Sequence, residues 1–142
     1  MLLEKSDFMY EKLLDLLNNS HSPYSKFRVA AIVTLKDGNS FSGVNVENAS
    51  YGATICAERS AIVSAVSHGY KKGDFDKLYI LCGDSNKIST CCFLCRQVIM
   101  EFFDKNSEII CYDKLGNSKS FSIDELCPYS FDSGDLIWNQ VS

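Results

Sequence analysis

Apolar residues first recur at helical spacing, with Phe8, Leu13, Leu14, Leu16 and Leu17 between about Ser6 and Asn18. The pattern predicts a helix laid on a sheet, capped by Ser6 and ended by Asn18-Asn19-Ser20. Pro23 forbids further helix, and Ser22-Pro23-Tyr24-Ser25 reads as a loop. The period then changes. Arg28 to Leu35 is apolar and β-branched, a strand buried on at least one face. Lys36-Asp37-Gly38-Asn39 carries Asp-Gly, a strong hairpin signal, and Phe41 to Val46 returns as the second strand. From Asn45 to Ala53 the chain turns polar and leaves the sheet.

Thr54 is placed to cap a helix from about Ile55 to His68, with Ala57, Ala61, Ile62, Ala65 and Val66 along it and Gly69 as its stop. A strand follows at Phe75–Cys82, then a helix from about Cys92 to Asp104, then a strand at Glu108–Tyr112. Lys114-Leu115-Gly116-Asn117 turns the chain into a weak fifth strand near Ser118–Ser122, and short helical pieces around Pro128 fill Ile123 to Ser142. Strands alternating with helices predict an α/β fold: a three-layer α/β/α sandwich on a mixed five-stranded sheet, with one hairpin followed by crossovers. Without a repeat, linker or low-complexity tract, residues 1–142 read as a single domain.

Charge and composition narrow the partners. The net charge is −4, and the fourteen basic residues are scattered, with Lys71-Lys72 the densest pair. Nucleic-acid binding rests on clustered Lys and Arg, so a small uncharged ligand is favoured over a polynucleotide. No apolar run approaches the roughly 20 residues of a membrane span. The N-terminus has an early acid and no long apolar stretch, so no signal peptide is read and a cytoplasmic location is expected. Seven cysteines in such a chain point to metal ligands and buried thiols rather than a disulfide framework.

Two stretches carry the chemistry. Cys56-Ala57-Glu58-Arg59 and Cys92-Phe93-Leu94-Cys95-Arg96-Gln97 each open a helical segment. Residues i and i+3 share a helical face, so Cys92 and Cys95 can grip one ion, and Cys56 supplies a third ligand. Three protein ligands leave a fourth position for water, the geometry of a catalytic zinc rather than a closed structural one. Cys91 is i+4 from Cys95, and spacing alone does not exclude it as the ligand. Cys82, Cys111 and Cys127 read as small buried hydrophobes. Beside an open metal position, Glu58 becomes the general acid and base. Three thiolates leave a zinc site net negative, which Arg59 and two helix dipoles would offset.

Several of these stretches, in this order, resemble the small homotetrameric cytidine deaminases. They are Ser22-Pro23-Tyr24-Ser25 with Phe27 and Val29, then Gly43-Val44-Asn45-Val46-Glu47-Asn48-Ala49-Ser50-Tyr51-Gly52, then Cys56-Ala57-Glu58-Arg59, then Cys92-x-x-Cys95-Arg96-Gln97. The resemblance runs from about Tyr10 to Leu136 and implies the same α/β/α fold. It implies one zinc per subunit on Cys56, Cys92 and Cys95, with Cys91 outside. The activity implied is hydrolytic deamination of cytidine and deoxycytidine in pyrimidine salvage, with Glu58 moving the proton. Asn45 and Glu47 correspond to residues that hold ribose hydroxyls; a carboxylate accepts, while an amide both donates and accepts. Glu47 would also repel a phosphate, favouring nucleosides. Phe27 matches an aromatic at the pyrimidine, the backbone of Ala57 a contact to the base, and Phe131 an aromatic that reaches a neighbouring subunit's site.

The chain departs from the family's Pro-Cys-Gly-x-Cys, having Cys91-Cys92-Phe93-Leu94-Cys95. A stiff helix-start residue is replaced by a thiol, and a bare backbone position by a phenyl ring that either touches the pocket or faces a subunit interface. Three rival readings remain. Action on another aminopyrimidine such as blasticidin S is opposed by Asn45 and Glu47. Polynucleotide editing is opposed by the scattered basic residues and by Cys rather than His at position 56. A non-catalytic zinc module is opposed by the joint presence of Glu58, Asn45, Glu47 and Phe27.

Overall fold

The computed structural model describes residues 4–136. Five strands form one mixed sheet: β1 (Val29–Leu35), β2 (Ser40–Val44), β3 (Phe75–Cys82), β4 (Glu108–Tyr112) and β5 (Ser118–Ser122), in the order β2-β1-β3-β4-β5. β1 pairs antiparallel with both β2 and β3, β3 and β4 are parallel, and β4 and β5 are antiparallel. The helices are α1 (Glu4–Leu17), α2 (Ala57–Ser67), α3 (Phe93–Phe102) and the single turn α4 (Ile123–Leu126). The chain therefore makes a β1–β2 hairpin first. It crosses over through α2 to β3 and through α3 to β4, then closes with a second hairpin. This is the expected order.

The alternation along β1 divides the core. Ala30 and Ile32 pack with Leu81 and Tyr112 under Leu13 and Leu17 of α1. Ala31, Val33 and Leu35 pack on the other face with Ala57, Ala61, Ile62 and Ala65 of α2 and Cys95 and Ile99 of α3. A period of two on the strand thus serves two helical layers at once. Leu13 and Leu17 sit one turn apart and are both buried, and truncating either would cost about 2–5 kcal/mol.

Local signals explain most boundaries. Gly38, with φ of 95°, completes the first hairpin, where Leu35 N donates to Asn39 O at 2.8 Å. Gly69, with φ of 99°, lies just past α2 and ends it in the left-handed region.

Four expectations need correction. Among the described residues the first helix already runs from Glu4, so Ser6 lies within it rather than capping it. Phe8 is 66% exposed and makes no core contact; Lys12 Nζ lies 5.4 Å from its ring. Thr54 does not cap α2. Its hydroxyl accepts from Asn48 N at 3.3 Å, while Ile55 is held extended by reciprocal backbone bonds to Val46. A residue pinned in a bridge cannot enter a helix, so α2 starts at Ala57 with Cys56 as its N-cap. The third helix ends at Phe102 rather than Asp104. After α4 one further helical turn, Ser133–Asp135, is present, and the part of the expected tail beyond Leu136 lies outside the described residues.

Candidate active site

The starts of α2 and α3 converge on a sulfur cluster. Cys56 is the N-cap of α2 and Cys92 the N-cap of α3, both with extended backbone. Cys95 lies one turn into α3, and its N–H donates to Cys92 Sγ at 3.5 Å. The three sulfurs lie within 4.8 Å of one another, and Cys56 Sγ to Cys92 Sγ is 3.8 Å. Tetrahedral zinc with Zn–S bonds of roughly 2.3 Å requires sulfurs roughly 3.8 Å apart, so this donor set fits the ion in both element and spacing. Cys91 stands outside the cluster and is buried; its carbonyl accepts from Arg96 Nε at 2.9 Å.

Charge at the sulfurs is uneven. The Cys56 thiol is held down to about 5, first by a hydrogen bond from Cys95 and then by Arg59 and Cys92. Cys95 is correspondingly pushed up by sharing its proton with Cys56. The first negative charge therefore settles on Cys56, at a helix N-terminus that favours thiolate. Arg59, one turn further along α2, directs Nη2 at Cys56 Sγ over 3.6 Å. Its Nε is buried without a hydrogen-bond partner.

Glu58 is 5% exposed, and burial pushes its carboxyl up to about 7. The side chain forms part of a cavity of about 450 Å³ that Cys56, Cys92, Ala57, Phe27, Asn45 and Glu47 also line. Asn45 directly follows β2. Its Oδ1 accepts from Val29 N at 3.0 Å and from Ser20 Oγ, and its Nδ2 donates to Phe27 O at 2.7 Å. Glu47 Oε1 accepts from Tyr24 N and Ser25 N, each at 3.0 Å, and Oε2 accepts from Ser25 Oγ. These bonds, Ser25 Oγ first, hold its carboxyl below the usual range. Glu47 thus binds the Ser22–Ser25 loop to the cavity wall, and Asn45 joins Ser20 to the Phe27–Val29 backbone.

The structure gathers Cys56, Ala57, Glu58, Cys92, Phe27, Asn45 and Glu47 at one cavity, with Cys95 and Arg59 behind it. Phe131 does not join them. Its ring is 59% exposed, and its carbonyl accepts from Gln97 Nε2 of α3 at 2.8 Å. Phe93 is 76% exposed and does not line the cavity; the Arg96 guanidinium sits 4.3 Å from its ring centroid. That guanidinium also donates to Leu126 O and Thr90 Oγ1, so Arg96 ties the start of α3 to α4. Cys111 is buried as expected, and Cys127 is half-buried with its thiol on Arg96 O. Cys82 is buried too, but it also lines the cavity, and burial pushes its thiol up to about 12. Sequence reasoning missed Cys82, Ser89 and Thr90 as lining residues and Ser20 and Ser25 as partners of Asn45 and Glu47. The serine-rich run Ser20–Ser25 was the available signal for the last two.

Comparison with known proteins agrees with this geometry. The family model described as the cytidine and deoxycytidylate deaminase zinc-binding region matches residues 3–111. A cytidine deaminase of Mycoplasma genitalium is 35% identical over 125 residues, covering 88% of this chain and 94% of that protein. A probable cytidine deaminase of Dictyostelium discoideum is 41% identical over 131 residues, covering 89% and 86%. The crystal structure of cytidine deaminase from Burkholderia pseudomallei superposes with a TM-score of 0.81 at 36% identity, covering 85% of this chain and 94% of that one. With three sulfurs at zinc spacing beside a buried carboxyl, and likeness at this level along nearly its whole length, the chain belongs to the zinc-binding cytidine and deoxycytidylate deaminase family.

Proposed function

We propose that the protein converts cytidine and deoxycytidine, with water, to uridine and deoxyuridine plus ammonia. It does so in pyrimidine salvage, in the cytoplasm, as a homotetramer. The observation that carries the reaction is the buried Glu58 in the same cavity as Cys56 and Cys92. Cys56, Cys92 and Cys95 would hold a zinc ion, which would supply Lewis-acid activation of water near neutral pH.

The chain's own residues do the rest. A carboxyl titrating near 7 is poised both to accept and to return a proton. Glu58 takes a proton from water as the water oxygen adds to C4 and delivers it to N3 of the pyrimidine; it then passes the proton of the new C4 hydroxyl to the 4-amino group, which leaves as ammonia as the C4 carbonyl forms. Arg59 offsets the negative charge of the thiolates through its bond to Cys56. Phe27, at the cavity, offers a ring face to the pyrimidine, and the backbone of Ala57 meets the base. Asn45 and Glu47 hold the sugar hydroxyls, and the Glu47 carboxylate repels a phosphate, favouring nucleosides over nucleotides. An exposed Phe131 ring, anchored through its backbone to Gln97, is free to reach a neighbouring subunit's cavity.

The test is a cytidine assay with and without a zinc chelator. Loss of the cytosine absorbance, abolished by chelation and restored by zinc, supports the reading; no uridine from zinc-loaded protein overturns it. A solution mass of a stable monomer would remove the tetramer and the role of Phe131.

A further inference from the structure

We propose that Ser20 is a positioning residue that makes Asn45 a hydrogen-bond donor only toward the sugar. The proposal rests on the nucleoside deaminase reading above. The orientation of the Asn45 amide follows from its backbone partners. Val29 N–H can only donate, so the atom facing it is Oδ1; the Phe27 carbonyl can only accept, so the atom facing it is Nδ2. An amide oxygen has two acceptor positions. Val29 N–H takes one, and the hydroxyl of Ser20 takes the other, with Asn45 Oδ1 its nearest acceptor and Ser22 Oγ (3.1 Å) and Asn45 O (3.5 Å) further off. One N–H of Nδ2 remains. Asn45 is 8% exposed and lines the cavity, so that proton is what it offers a ligand.

Glu47 has the opposite polarity. Of roughly four acceptor positions on a carboxylate, Tyr24 N and Ser25 N occupy two on Oε1 and Ser25 Oγ one on Oε2. The pair therefore presents one donor, Asn45 Nδ2, and one acceptor, Glu47 Oε2. A hydroxyl satisfies both at once, receiving from the amide and giving its own proton to the carboxylate. Without Ser20, Oδ1 regains an acceptor position, and the amide competes with Glu47 for that hydroxyl proton.

Ser20 also follows α1, where its N–H donates to Leu17 O at 3.1 Å, so a purely structural role has to be separated. The experiment compares unsubstituted, Ser20→Ala and Ser20→Thr proteins, zinc-loaded, on cytidine and on 2′,3′-dideoxycytidine, with uridine affinity measured by calorimetry. Loss of one such bond predicts a KM for cytidine and a Kd for uridine raised about 3- to 10-fold in Ser20→Ala, with kcat retained. The penalty should vanish on the dideoxy substrate, and Ser20→Thr should restore the unsubstituted values. Equal losses on both substrates, or an unchanged KM and Kd in Ser20→Ala while the unsubstituted protein turns over, overturn the proposal alone. No turnover by the unsubstituted protein overturns the deaminase reading and this proposal with it.

Discussion

Gly43 of β2 lies directly beneath Ala57 of α2: a Cβ at position 43 would sit 2.6 Å from Ala57 O and 2.5 Å from Ala61 N. Both neighbours are backbone of the helix whose first turn carries Glu58 and whose cap is Cys56. No side chain can swing aside, so a methyl group there must lift α2 from the sheet. Gly43→Ala is expected to destabilise the fold by about 1–3 kcal/mol, the cost of overpacking. It should also lower kcat by shifting Glu58 against the cysteines of α3. Thermal unfolding and steady-state kinetics check this; an unchanged Tm with full turnover would refute the tight approach.

Cys91 and Cys92 are adjacent in the chain and differ entirely in surroundings. Cys92 Sγ lies in the sulfur cluster, whereas Cys91 is packed in the core and contributes its carbonyl to Arg96. Cys91→Ala should keep one zinc per chain and most of the activity. Cys92→Ala should lose both. Metal content by atomic absorption on the two purified variants decides it, and the opposite pattern would reassign the ligand.

Arg59 makes its side-chain bond to Cys56 with a buried, unpartnered Nε behind it. A neutral replacement such as Arg59→Gln removes the positive charge that balances the thiolates. Loss of a group supporting a metal ligand typically costs 10–100-fold in affinity, and competition with a chromogenic chelator should show zinc affinity falling by about that much. Equal affinity would show that the two helix N-termini suffice.

Much of this was legible because the signals are local. Phe75–Cys82, Glu108–Tyr112 and Ser118–Ser122 are strands with the expected bounds, each marked by its own run and flanking turn residues. The misread positions depend on distant partners. Thr54 looks like a cap until Val46 is seen pairing with Ile55, and Phe8 fits a helical face that the sheet does not cover. Spacing left Cys91 and Cys92 equivalent; helix-cap geometry separates them. Nor could sequence show that Ser20 and Val29 occupy the Asn45 oxygen, which turns an apparently two-way amide into a donor.

Where β1 starts and β3 ends, beside the cavity-lining Val29 and Cys82, Arg28 and Asp84 form a fork, with Nη2 to Oδ1 at 2.9 Å and Nε to Oδ2 at 3.2 Å. The Arg28 side chain, by hydrogen bond first, holds the Asp84 carboxyl below its usual range. A folded pKa below the unfolded value of about 3.9 means stability that is present above that pH and lost as pH falls through the folded pKa. The pair is partly exposed, so Asp84→Asn should cost about 1 kcal/mol or less at pH 7. The gap should close as pH falls below about 4. Urea midpoints of both proteins between pH 7 and pH 3 test the sign, and a gap that widened in acid would contradict it.

Glu58 gives the sharpest discrimination between an enzyme and a zinc-holding relic of one. Its carboxyl is 5% exposed, and burial raises it to about 7. A buried carboxyl kept for packing alone would be replaced by its amide with little consequence, since glutamine has the same shape. A proton carrier would not. Glu58→Gln is therefore expected to retain zinc on Cys56, Cys92 and Cys95 and to fold normally, while kcat on cytidine falls by about 10²–10⁴, the usual contribution of general acid and base catalysis. Zinc content, circular dichroism and the absorbance assay on one preparation suffice. Normal turnover would remove Glu58 from proton transfer; loss of zinc would instead make it a support of the metal site.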